Sequence, residues 1–175
     1  MPPQPFPVAL RLGIDTCYIP RVQALLSKYP SGQLKEPRFL SKLLTWPERQ
    51  YFLHRFGDAG LAAETEKLNK MGQFLAGRWA AKEACRKACE HFGKTTQMQR
   101  IIILPVGFGN GKPGSSRRPQ GLILREAIPP LSRYLKPYLR SLVFNLDEME
   151  GQLCEVSITH DGDYAQAVAL VPEIK

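Results

Sequence analysis

The sequence predicts an α+β fold, and three observations predict it. Strand-type runs stand at the start and the end of the chain, and helical periodicity fills the stretch between them. An Ala-rich helical segment near the middle is the strongest single element. There is no internal repeat.

Residues 8–15, VALRLGID, read as a short strand ending on Gly13 and Asp15. YIPRVQALLSKY follows, with Ile19, Val22, Leu25 and Leu26 at helical spacing and Pro20 tolerated in the first turn. Pro30–Pro37 is a turn or insertion, and Phe39–Leu44 a short helix. Thr45 with Glu48 three residues on is a capping box for a helix over 46–56, broken by Gly57–Gly60. Residues 61–72 read as a helical connector into the strongest helix, 73–92, which ends before Gly93. At 100° per residue Phe74, Ala81, Ala84, Cys85, Ala88 and Phe92 share one face of that helix. Trp79, Lys82, Glu83, Arg86, Lys87 and Glu90 share the other. Residues 100–106, RIIILPV, form a buried strand. Phe108–Gly121 is a long basic loop, Leu122–Arg125 resumes a strand, and 127–140 is a Pro-interrupted helical stretch. Leu153–Ile158 and Tyr164–Val171 close the chain as a hairpin around HDGD.

With 175 residues the chain reads as one domain, 1–175, carrying loop insertions at 28–37, 57–72 and 107–121. Hydrophobic residues at 43% and charged residues at 23% exclude disordered and fibrous classes. No apolar run approaches the ~18–20 residues that span a bilayer. The opening MPPQPFPVALRLGID lacks the basic and apolar regions of a secretory signal and is too short before the first strand for an intact transit peptide. Four scattered cysteines without a CxxC read as reduced, with Cys85 and Cys89 as small buried apolar residues rather than metal ligands. The 24 basic against 16 acidic residues leave a net charge of +8, which fits an acidic partner of some kind.

Three stretches hold residues that can do chemistry. Asp15 closes a strand, where a carboxylate faces a ligand, although it also suits a helix N-cap. Glu83 and Lys87 stand four apart in the order that favours a solvated ion pair. Trp79 on the same polar face argues that a ligand, a subunit or the sheet covers it. His160 precedes a turn and suits either a structural role or a phosphate contact. Two carboxylates with lysine and histidine nearby are the equipment of Mg²⁺-assisted phosphate chemistry.

Together these fragments resemble the 4′-phosphopantetheinyl transferase superfamily, in its short holo-acyl-carrier-protein synthase type. Its first motif stands as Leu12-Gly13-Ile14-Asp15, and its second as Trp79, Lys82-Glu83 and Lys87 within FLAGRWAAKEACRKA. VSITH and the following YA and AV complete the order, with GKP at 111–113 between. The chain departs from the family's pattern in a longer Asp15–Trp79 interval and an expanded basic loop. In place of the usual Gly-Thr-Gly after the helix lysine it has Ala88-Cys89-Glu90-His91-Phe92-Gly93, and it lacks a D-x-E metal pair.

The resemblance implies a small antiparallel sheet packed against a long helix, and Mg²⁺-dependent transfer of 4′-phosphopantetheine from coenzyme A to a serine of an acyl carrier protein. It implies Asp15 and Glu83 as Mg²⁺ ligands, Glu83 and Lys87 as catalytic residues, and Arg78, Lys87, Thr159 and His160 as coenzyme A contacts. The serine proton would go to a metal-bound water or to Glu83. Arg21 would dock the acidic carrier, with Lys35, Arg38 and Lys42 extending that face. A homotrimer with shared sites is implied, each pairing Asp15, Glu83 and Lys87 of one copy with Arg78 and His160 of the next. Neither membrane nor nucleic acid would be a partner. The location would be cytoplasmic, or the mitochondrial matrix in a eukaryote, and the carrier one of fatty acid biosynthesis or a related pathway. Two other readings are a catalytically silent member of the family and a basic nucleic-acid-binding module using Arg117 and Arg118.

Overall fold

The computed structural model describes residues 9–28, 38–57, 65–89, 97–105, 118–128 and 149–172. The expected insertion at 30–37, the break at 58–60, the helix end near Gly93, most of the basic loop and the helical stretch after 128 lie outside them. In order come β1 (Leu10–Tyr18), α1 (Ile19–Leu26), α2 (Arg38–Leu43), α3 (Trp46–Phe56) and α4 (Thr65–Ala88). A 3-10 turn at Met98–Arg100 leads into β2 (Ile101–Pro105), β3 (Pro119–Leu124), β4 (Gly151–Asp161) and β5 (Tyr164–Pro172). The strands form one antiparallel sheet in the order β1-β5-β4-β3-β2, with α4 packed across it. This is the expected α+β class.

Several boundaries move. β1 continues three residues past Asp15, and Tyr18 is the residue before α1, so Asp15 is a strand residue and not a helix cap. α4 absorbs the described part of the connector, 65–72, and runs to Ala88. β3 begins at Pro119, inside the stretch expected to be loop.

Alternation decides which face of the sheet meets the helix. On β5, Ala165, Ala167, Ala169 and Val171 turn inward, and three of the four are small enough to let α4 approach closely. Ile101 and Ile103 join that core, while Ile102 and Leu104 meet Leu122 and Leu124 in a second cluster on the sheet's other side. The isoleucine run is thus buried on both faces.

One buried charged hub ties the helices to the sheet. Glu48 accepts from the Thr45 backbone N–H (2.7 Å) and the Ile103 N–H (3.0 Å), and pairs with Lys82 Nζ at 2.6 Å. Lys82 also donates to the Leu43 carbonyl at 2.7 Å and the Met98 carbonyl at 3.1 Å. Lys82 is wholly buried, away from the polar face it was expected to share with Glu83 and Lys87. Burial pushes its pKa down, against the stabilising field of Glu48.

Candidate active site

The site begins with a glycine. A Cβ at Gly13 would overlap the Ala84 carbonyl oxygen and lie 2.9 Å from the Ala88 nitrogen, so β1 rests directly on the α4 backbone. That contact sets Asp15, two residues on and on the same side of the strand, against the last turns of α4. Lys87 Nζ there donates to Asp15 Oδ1 at 2.8 Å and to the Ile14 carbonyl at 2.9 Å. Glu83 is one turn earlier on the same row, and its Oε1 accepts from Arg86 Nη1 at 2.7 Å. The expected Glu83–Lys87 pair is therefore replaced by Lys87–Asp15 and Glu83–Arg86. The strand supplies a nearer carboxylate to the lysine than its own helix does.

Arg78 and His160 are brought together elsewhere. Nine residues separate Arg78 from Lys87, about 180° around the helix, so the two stand on opposite faces of α4. Gly77 leaves room for His160 at the end of β4, and a Cβ there would lie 3.1 Å from the imidazole Nε2. That nitrogen is 3.0 Å from the Gln73 carbonyl. Arg78 is buried with its guanidinium 4.5 Å from the centre of the Phe74 ring, and its Nε has no hydrogen-bond partner among the described residues. Burial pushes its pKa down to about 10, opposed by Glu48, which leaves it charged at neutral pH.

Arg78 and His160 line a cleft of about 980 Å³ together with Tyr51, His54, Arg55 and Phe74, and among the described residues no acidic side chain lines it. Arg55, 5.5 Å from the Phe74 ring centre, was not singled out by sequence reasoning. Its only signal was its place in the last turn of the 46–56 helix. Phosphate is the chemistry such a cleft suits, because anions need the positive charge and donors it offers. Thr159, exposed beside His160, pairs with Gln166 in the sheet.

Within the chain Trp79 is half-buried, and two other helices supply the cover. Its ring stacks with Phe39 of α2 at 6.0 Å and 22°, and the Arg21 guanidinium of α1 lies over it at 5.1 Å. Arg38 and Lys42 are exposed on α2, while Lys35 falls outside the described residues.

The four cysteines are buried free thiols. Cys85 Sγ touches Cys154 Sγ at 3.7 Å, and that contact with burial raises the Cys85 pKa, while burial pushes Cys89 up to about 12. Neutral buried thiols match the apolar role expected of the pair.

Comparison with known proteins gives a family-model match over residues 11–117 to the 4′-phosphopantetheinyl transferase superfamily. A holo-[acyl-carrier-protein] synthase of Gloeobacter violaceus is 36% identical over 161 residues, covering 92% of this chain and 91% of the relative. The mitochondrial 4′-phosphopantetheinyl transferase B of Aspergillus fumigatus is 29% identical over 172 residues, covering 95% of both chains. Among solved structures, the Plasmodium yoelii acyl carrier protein synthase with ADP bound superposes with a TM-score of 0.55 at 18% identity, covering 96% of this chain and 97% of that one. The two share a fold.

Proposed function

Because this chain belongs to the 4′-phosphopantetheinyl transferase superfamily, we propose that it converts an apo acyl carrier protein to the holo form with coenzyme A as donor and Mg²⁺ as metal. As an enzyme it is a holo-[acyl-carrier-protein] synthase. The other product is adenosine 3′,5′-bisphosphate. The carrying observation is the backbone contact at Gly13, which sets Asp15 against Lys87 at 2.8 Å with Glu83 one turn away.

The donor set fits Mg²⁺. Asp15 and Glu83 offer hard carboxylate oxygens, and each has a second oxygen beyond the one its cation holds. Among the described residues no group of three or more His, Cys, Asp or Glu could hold a metal. Two carboxylates suit Mg²⁺, which takes its remaining ligands from substrate phosphate and water. When bound, the metal supplies charge neutralisation to the diphosphate and its leaving group.

Phosphoryl transfer depends mainly on position and charge, and the chain's residues divide those tasks. Lys87, half exposed, has three donors and can turn one from Asp15 or Ile14 to a diphosphate oxygen. The serine proton has two acceptors in this reading, Glu83 or a water at the metal. Arg78 and His160, with Thr159 next to His160 on β4, hold the nucleotide phosphates, and among the described residues no acidic side chain lines the cleft. Arg21 docks the acidic carrier, which the net charge of +8 favours.

One copy presents these two halves on opposite faces of α4, so a complete site needs a second copy. The sheet face turned away from α4 supports such an assembly. It exposes Leu12, Ile14, Tyr18, Leu153, Tyr164, Val168 and Leu170, with Leu12 opposite Leu170 and Ile14 opposite Val168 in register. A ring of three identical copies, each a single domain over 1–175, is the arrangement proposed. The mitochondrial name of the Aspergillus relative favours the matrix if the source is eukaryotic, and the cytoplasm otherwise. Among the described residues no helix is long and apolar enough to cross a membrane.

Mass spectrometry tests the reading. Apo carrier incubated with this protein, coenzyme A and Mg²⁺ gains a phosphopantetheine adduct, and none forms with chelator. Unmodified carrier across candidates, with retention on nucleic acid instead, would favour the binding-module alternative.

A further inference from the structure

We propose that Trp79, backed by Phe39, is a positioning residue for carrier docking, holding the Arg21 guanidinium in register with the reacting end of α4. The inference rests on the reading of Arg21 as the docking cation.

Trp79, Glu83 and Lys87 fall on successive turns of α4, at i, i+4 and i+8, and so share one row. Arg21 comes from a different element, the first turn of α1, and lies over the Trp79 ring at 5.1 Å. Phe39, from α2, stacks on the same indole at 6.0 Å and 22°. The indole thus joins three helices at one point and carries the cation on its face.

Among the described residues no carboxylate lies within ion-pair distance of Arg21, and its one polar contact is Cys17 Sγ at 4.0 Å. A guanidinium resting on an aromatic face is held by the ring, while its in-plane N–H groups remain available for a carboxylate, bidentate where geometry allows. Holding an otherwise mobile side chain in its bound conformation removes part of the ordering cost of docking. It also fixes where an acidic carrier sits relative to Asp15, Glu83 and Lys87.

A double-mutant cycle with Arg21→Ala and Trp79→Leu tests this, with Trp79→Phe as the conservative variant. Trp79→Leu raises the KM for apo carrier about threefold to fivefold, more than it raises the KM for coenzyme A. Trp79→Phe restores most of the difference. In the Trp79→Leu background, Arg21→Ala has a smaller effect on the carrier KM than it has alone. A merely structural role for Trp79 gives additive effects, and additivity overturns the proposal while leaving Arg21 docking intact. No effect of Arg21→Ala on the carrier KM overturns both. A second measurement needs no variant at position 79. The chain has two tryptophans, so with Trp46→Phe the emission reports Trp79 alone. Titration with apo carrier shifts that emission, and an unchanged spectrum at saturating carrier counts against the proposal.

Discussion

Asp15 and Glu83 each hold a cation in the structure, Lys87 at 2.8 Å and Arg86 at 2.7 Å, and neither contributes to the apolar core. Such partly exposed pairs contribute at most about 1 kcal/mol to stability. Charge stabilisation at a phosphoryl centre is worth far more to the reaction. Asp15→Ala and Glu83→Ala should therefore each lower carrier modification by roughly 100-fold or more. The melting temperature should move by only a few degrees, about 2–4 °C per kcal/mol for a chain of this size. Turnover assays and thermal melts on the same preparations check both halves, and near-normal turnover at saturating Mg²⁺ would remove the residue from the site. Lys82 is the contrasting case. It is adjacent to Glu83 in the motif, yet it is wholly buried on Glu48, Leu43 and Met98 and belongs to the fold.

At the scale of elements, the β1–α4 contact governs the site. Gly13 meets helix backbone, which cannot swing aside as a long side chain can. In Gly13→Ala the strand or the helix must shift. A loss of roughly 1–3 kcal/mol is expected, typical of overpacking a close contact. Activity should fall further than stability alone explains, because the shift parts Asp15 from Lys87. Denaturant midpoints with transfer rates measured well below the transition separate the two effects. Wild-type values for both would show that the approach is not close in solution. Helical rows explain another part of the element scale. Arg78, Lys82 and Cys85 fall at i, i+4 and i+7 along α4, with Cys89 just past its end at i+11, and all four are buried. Two of them were already legible as buried cysteines, so the row carried a signal that Lys82 points inward.

At the scale of the molecule, the trimer with shared sites is a proposal, supported by the exposed apolar sheet face and by the placement of Arg78 and Lys87 on opposite faces of α4. Light scattering should give a mass of about three chains. An Asp15→Ala chain mixed with a His160→Ala chain should regain part of the activity, because some mixed rings contain one intact composite site. Activity and assembly should fall together on dilution. A fully active monomer, or no complementation after proven subunit exchange, would overturn the arrangement.

The sequence by itself determined the α+β order, the capping box at Thr45 and Glu48, the terminal hairpin and the identity of the two motifs. These depend on local periodicity, turn chemistry and residue type, all of which are written along the chain. Only the tertiary structure decided which charges meet. Asp15 takes Lys87, 72 residues away, and Lys82 takes Glu48, 34 residues away, because β1 and α3 pack on α4 at those points. Helical spacing cannot report such partners, since an ion pair forms with whatever carboxylate packing brings nearest. The cover over Trp79 was decided in the same way, by α1 and α2 arriving on one face of α4.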